Sequence, residues 1–194
     1  MSVKLTASPL DLDLGGVPLV EAARRFGAAA HGAIGQMRRY VAEPYFAHPV
    51  RVAGTIAALG YGDHVVAAAL LHDVVEDTPV TITDLELRFG GRVAGLVHWV
   101  TNVATSRDGD RAARASINLR HIAAGPSEAQ TIKAADILDN TPSIISHDPS
   151  FAAVYVPEKI ATLRAMTQAD RRIVARAMAA CEAFQPAPHA EPMR

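Results

Sequence analysis

The feature that most limits what this chain can fold into is its hydrophobic period. Apolar residues recur at three- and four-residue steps along most of its length, and the alternating pattern of a half-buried strand is absent. Residues 17–31 carry Leu19, Ala23, Phe26 and Ala30 on one helical face, and "PVRVAGTIAAL" does the same with Val52, Ile56 and Leu59 before stopping at Gly60. Pro49 suits a first helical turn, where its missing N–H is not needed. Asp63 reads as the N-cap of one continuous helix, "HVVAAALLHDVVED", with Val66, Leu70 and Val74 as its stripe and Thr78-Pro79 as its end. "TITDLELRFGG" offers two overlapping capping boxes, Thr81 to Asp84 and Thr83 to Glu86. Residues 92–103, 111–124 and the stretch "EAQTIKAADILDNTP" are three more helices, and "ISHDPSF" is a break. Pro157 reads as lying near a helix start in "AAVYVPEKIATLRAM", and Thr167 with Asp170 as the capping box of a last helix ending near Phe184. The expected fold is an all-α helical bundle, one domain over residues 17–184 with about seven to ten helices. A loose lead over residues 1–16 and a Pro-rich, disordered tail over 185–194 flank it.

Composition narrows the functional classes. Hydrophobic residues make up 49% and charged residues 20% of 194 residues, an ordinary globular balance. A net charge of −1 gives no general attraction to nucleic acid or to an anionic membrane. The single cysteine, Cys181, excludes an internal disulfide framework and fits a reducing compartment. No signal peptide or apolar run of spanning length is evident, so the expected location is the cytoplasm. Homo-oligomer formation is left open.

Against that background one segment stands out. "ALLHDVVEDT" sets His72, Asp73, Glu76 and Asp77 among Ala, Leu and Val. Charge in apolar surroundings is costly unless it is paired, neutralised or bound to a metal. Within a helix, His72 and Glu76 lie one turn apart, as do Asp73 and Asp77. Such a patch has too few ligands for a tight site, but His48 precedes Pro49 at a helix mouth, and Asp136 follows two alanines in "KAADILDN". His48, His72, Asp73 and Asp136 together supply two imidazoles and two carboxylates, a mixed N/O set suited to Mn²⁺, Fe²⁺ or Zn²⁺. Each has an ordinary reading alone: a solvated helix end, a charged terminus, a local cap. The apolar context of both Asp73 and Asp136 weighs against those readings taken together.

These residues, in this order, resemble the HD-domain metal-dependent phosphohydrolases. The resemblance is closer to the hydrolase domain of the RelA/SpoT-like enzymes and their stand-alone relatives, the small alarmone hydrolases. It rests on "GQMRR" (35–39), "EPYFAHPVRVA" (43–53), "AAALLHDVVEDT" (67–78), "FGGRVAGLVHWVT" (89–101) and "KAADILDNT" (133–141). It implies an all-helical HD fold, one divalent ion, usually Mn²⁺, held by His48, His72, Asp73 and Asp136, and a water activated or positioned by Glu76 and Asp77. The reaction it implies removes the 3′-pyrophosphate of guanosine tetra- or pentaphosphate (ppGpp, pppGpp), giving GDP or GTP and pyrophosphate. Arg38 or Arg39 would cover the purine or grip phosphate, and Asn140 would bond the nucleoside. Tyr155 and Lys159 resemble a Tyr/Lys pattern on the phosphate side.

The chain also departs from that pattern. Ala33 stands where relatives commonly have a histidine two residues before "GQ", and His31 is nearby but offset. The stretch from Arg38 to His48 is longer by about one residue, and Ala42 and Glu43 replace a usual glycine before "PY". These changes fall on the nucleoside side and leave the ligand set whole. Two alternatives therefore stand beside the leading one: a phosphohydrolase of another nucleotide, a nucleoside monophosphate or the phosphate of NADPH, and a non-catalytic nucleotide-binding regulator. His64, His98, His121, His147 and His189 read as surface or structural, Trp99 and Phe89 as core, and Cys181 as buried.

Overall fold

The computed structural model describes residues 8–185. Its helices are α1 (Leu19–Ala33), α2 (Ala47–Ala58), α3 (Asp63–Leu71), α4 (Val74–Asp77), α5 (Ile82–Phe89), α6 (Gly91–Val100), α7 (Arg111–Ala124), α8 (Ser127–His147), α9 (Pro149–Ala165) and α10 (Arg171–Glu182). Among the described residues there is no β-strand, and the all-α expectation holds. Residues 1–7 and 186–194, most of the expected lead and tail, lie outside the described residues.

The bundle is organised around α3. Every residue from Val65 to Leu71 is buried, and α3 packs against α1, α2, α6 and α8. A helix apolar on all sides belongs in the centre of a bundle, so the expected one-sided stripe of Val66, Leu70 and Val74 is replaced by burial all round. Gly62, not Asp63, is its N-cap, and Asp63 lies in the first turn, where its charge complements the helix dipole.

The expected continuous helix from Asp63 through Asp77 is two helices. The chain leaves α3 at His72, whose ring Nδ1 lies 2.7 Å from the Ala69 carbonyl oxygen, and α4 begins after Asp73. Competition between a side chain and the backbone for the same carbonyl is a common cause of such a break. Further on, Thr81 and Asp84 form the capping box of α5, and no box forms at Thr83.

Two prolines behave differently from expectation. Pro157 sits inside α9, and Pro142 inside α8, which runs through the expected break as far as His147. Asp148 then ends α8, and its side chain accepts the Phe151 N–H to start α9. At α10 the expected Thr167–Asp170 box is replaced by Asp170 alone, which accepts from the Arg172 N–H.

The segment between α1 and α2 is irregular, as its Gly, Arg and Pro content predicts, yet it is pinned. Met37 and Pro44 form an antiparallel bridge, Tyr45 N donates to the Gln36 carbonyl and Arg38 N to that of Glu43. Gly27 secures its far end: a Cβ there would collide with the Phe46 ring. This segment thus enters α2 in a fixed position directly before His48.

Candidate metal centre and active site

Three elements deliver the four proposed ligands: the start of α2 gives His48, the α3–α4 break gives His72 and Asp73, and the middle of α8 gives Asp136. His48, His72 and Asp73 each offer one ligand atom within 4.8 Å of the others. His48 Nε2 is 3.6 Å from Asp73 Oδ2 and 3.2 Å from Asp136 Oδ1; His72 Nε2 is 3.1 Å and 3.9 Å from the same two oxygens. Asp73 occupies the N-cap position of α4, but its carboxylate makes no cap bond. It faces the cluster, where Tyr45 Oη donates to it at 2.6 Å.

Both imidazoles are oriented in the same sense. Each Nδ1 is engaged, by Asp139 Oδ2 at 2.7 Å for His48 and by the Ala69 carbonyl for His72, and each Nε2 is turned into the cluster. His72 Nε2 is buried with no hydrogen-bond partner among the described residues. A buried, unpartnered ring nitrogen aimed between two carboxylates fits a divalent cation. The electrostatics agree. Burial opposes charge on His48, yet the carboxylates of Asp136 and Asp139 outweigh it and raise its pKa to about 9. Burial would likewise raise Asp73 and Asp136; the neighbouring His72 for the first and Lys133 for the second hold them below the usual carboxylate range. The cluster thus keeps two ionised carboxylates beside two imidazoles, the donor set a divalent ion requires.

On one flank the cluster meets a basic cavity of about 250 Å³, lined by Asn102, Arg111, Arg114, Lys133 and Lys159 among others. Lys133 is a cavity-lining residue beside Asp136 that sequence reading missed. Its Nζ lies 3.0 Å from Asp136 Oδ2, and although burial works against its charge, Asp136, Glu76 and Asp73 raise its pKa. The signal was present as a Lys–Asp pair three residues apart on α8. Lys159 lies over the Tyr155 ring at 5.2 Å; burial, then the charge of Lys133, lowers its pKa. Tyr155 is buried and does not line this cavity, so it meets the site through Lys159. Glu76 reaches toward the same flank and accepts from both the backbone and side-chain N–H of Asn102, at 2.8 and 2.6 Å. Solvent reaches part of Glu76, yet the protein around its carboxylate raises its pKa, and Asp73 adds to this against the pull of Lys133 and Asn102.

The other flank is a cavity of about 350 Å³ lined by Gln36, Arg38, Arg39, Tyr45, Asn140 and Phe151 with others. Arg38 Nη1 donates to Asn140 Oδ1 at 2.8 Å, and Asn140 Nδ2 donates to Asp136 Oδ1 at 2.6 Å. Arg39 turns outward, over the Tyr40 ring and 3.7 Å from Asp148. Asp77 accepts from Gln36 Nε2 at 2.9 Å, and Gln36 Oε1 lies 2.6 Å from His31 Nδ1. His31, offset in sequence, is therefore placed against Gln36 by the last turn of α1.

A helical bundle that gathers a His…His-Asp…Asp set able to hold a metal between two polar cavities has the character of an HD-type domain. The HD-domain family matches residues 23–185, and the chain belongs to that family. Among its relatives are a probable guanosine-3′,5′-bis(diphosphate) 3′-pyrophosphohydrolase of Synechocystis sp., 49% identical over 69 residues, and a guanosine-3′,5′-bis(diphosphate) 3′-pyrophosphohydrolase of Aquifex aeolicus, 34% identical over 125 residues. The matches take in 36% and 64% of this chain but only 9% and 18% of those longer proteins. The fold is similar to that of a metazoan ortholog of SpoT described as hydrolysing ppGpp and acting in starvation responses. The TM-score is 0.74 at 25% identity, covering 84% of this chain and 94% of that one. A Listeria monocytogenes structure also aligns, with a TM-score of 0.57 at 25% identity, over 73% of this chain and 99% of the other.

Proposed function

We propose that this chain is a metal-dependent phosphohydrolase that converts guanosine tetra- or pentaphosphate to GDP or GTP by releasing the 3′-pyrophosphate, acting as a cytoplasmic alarmone hydrolase. The observation that carries the reading is the cluster of His48, His72 and Asp73, with Asp136 beside it, set between a basic cavity and an Arg/aromatic cavity. The similarity to proteins named for this reaction supplies the substrate. No helix among the described residues is long and apolar enough to cross a membrane.

In this reading His48, His72, Asp73 and Asp136 hold one Mn²⁺. A divalent ion at such a site polarises a phosphoryl oxygen and lowers the pKa of water. Glu76 and Asp77 orient the attacking water and accept its proton. Glu76 is held for this by Asn102, and Asp77 by Gln36. Water adds to the phosphorus bonded to the 3′-oxygen; that P–O bond breaks, and the 3′-oxygen leaves with a proton. Lys133, Lys159 and Arg114 present cationic groups to the phosphates. Arg38, already aligned by Asn140 and lying beside the Tyr45 ring, meets the nucleoside, with Arg39 outside it. An arginine at this place can both stack on a purine and hydrogen-bond.

The test is to incubate the Mn²⁺-loaded protein with labelled guanosine tetraphosphate. The expected products are GDP and pyrophosphate, with turnover stopped by a chelator and restored by Mn²⁺. Turnover of another nucleotide without pyrophosphate release from this one would assign a different phosphohydrolase. Metal binding without turnover of any nucleotide would assign a regulatory role.

A further inference from the structure

Asp139 has no part in the ligand set or the proposed water chemistry, yet it is among the most tightly held carboxylates near the site. Its Oδ2 lies 2.7 Å from His48 Nδ1. Arg51 grips the same carboxylate from the solvent side, Nε to Oδ1 at 2.8 Å and Nη2 to Oδ2 at 3.2 Å. Arg51 is fixed in turn by Glu43, whose Oε1 accepts from Nη1 at 3.0 Å. The chain of contacts thus runs from the pinned segment before α2, across Arg51 on α2 to Asp139 on α8, and back to the imidazole of His48.

The geometry leaves one arrangement for His48. Its ring is fully buried, so no water competes for Nδ1. A carboxylate oxygen only accepts, so Nδ1 carries the proton and donates to Asp139. Nε2 is then the ring nitrogen that faces Asp73 and Asp136, the atom a cation would take in place of a proton. The two-point grip of Arg51 fixes the plane of the carboxylate and supplies a compensating charge. His72 has no such support: its Nδ1 meets a neutral backbone carbonyl of its own helix. One histidine is therefore oriented by its own helix and the other by a charged pair contributed by two helices.

We propose that Asp139 and Arg51 are a positioning pair that holds His48 as an Nε2 ligand and sets the affinity of this site for its divalent ion. The proposal rests on the metal reading given above. Removing an outer-shell partner of a metal-bound histidine typically weakens metal affinity by roughly 10–100-fold.

The test is a Mn²⁺ titration of the full chain by electron paramagnetic resonance of the free ion, on wild type, Asp139→Ala, Asp139→Asn and Arg51→Met, with turnover measured separately at saturating Mn²⁺. Asp139→Ala is expected to weaken Mn²⁺ binding by roughly 10–100-fold. Asp139→Asn, which keeps one acceptor oxygen, and Arg51→Met, which keeps the carboxylate, should fall between it and wild type. Raising Mn²⁺ should restore much of the lost turnover, which a purely structural defect would not allow. Wild-type Mn²⁺ affinity in both Asp139→Ala and Arg51→Met would overturn the proposal while leaving the metal reading intact. Absence of stoichiometric Mn²⁺ in the wild type would overturn the metal reading itself, and this proposal with it. Should Asp139→Ala fail to fold, Asp139→Asn and Arg51→Met decide the matter by the same ordering.

Discussion

The two flanks of the metal cluster are built on different physical terms. On the α4–α8–α9 flank, Lys133, Asp136 and Lys159, with the more exposed Glu76 at their edge, form a network of ionisable groups in which each pKa depends on its neighbours. On the flank facing the segment between α1 and α2, Arg38, Arg39 and Asn140 are neutral or permanently charged donors, held by a few hydrogen bonds, a ring contact and a long ion pairing. The first suits proton movement and phosphate charge, because low solvation magnifies electrostatic differences. The second suits recognition, because donors there can exchange one partner for another at modest cost.

Substitutions should respect this asymmetry, and the largest effect is expected at Lys133. Replacing it with Met removes the largest counter-charge to Asp136, leaving His48 and His72 to offset it. A loss of about 3–5 kcal/mol is expected on breaking a buried pair in this way, read as a lower denaturation midpoint. A midpoint equal to wild type would show that the network does not depend on this cation.

Glu76→Gln comes next. It should lower kcat by roughly 10²–10⁴-fold, the usual contribution of general acid–base catalysis, while stoichiometric Mn²⁺ is retained; full activity would remove Glu76 from the water-handling role. Stability should move the other way. The pKa of Glu76 is raised in the fold above 4.5, so its favourable contribution is present at low pH and is lost as pH rises through the folded value. At neutral pH the ionised carboxylate therefore costs stability, and the variant should melt no lower than wild type.

The recognition flank should respond less. Arg38→Ala removes the donor aligned by Asn140 and should raise KM by about tenfold, equivalent to ~1.4 kcal/mol, with a smaller change in kcat. Arg39→Ala, which removes an exposed pairing with Asp148, should change KM by no more than the ~0.2–1 kcal/mol of a surface ion pair. Equal effects at the two arginines would erase the inward–outward distinction between them.

Much of this was legible in the sequence because it is local. Helical periodicity reports on neighbours three and four residues away, which suffices for an all-α bundle and for most of its helices. The His72-Asp73 doublet and the apolar context of Asp136 nominated three of the ligands, since buried charge needs a reason wherever it occurs, and His48 was added from its place before Pro49 at a helix mouth.

What the tertiary structure decided depends on distance along the chain. The break between α3 and α4 follows from a side chain turning back on the Ala69 carbonyl, which a hydrophobic pattern cannot register. Pro142 and Pro157 continue their helices where local rules predict interruption, because packing of α8 against α9 and α10 outweighs the lost hydrogen bonds. The division of labour between Arg38 and Arg39 is set by Asn140 and Asp148, more than 100 residues away. The Asp139–Arg51 grip likewise joins residues 88 apart in sequence. The sequence by itself determined which chemical groups are available and that they lie on helices. Only the packing of α2, α3 and α8 against one another determined which of those groups meet, because the energy of a charged contact depends on separation in space and on exclusion of water.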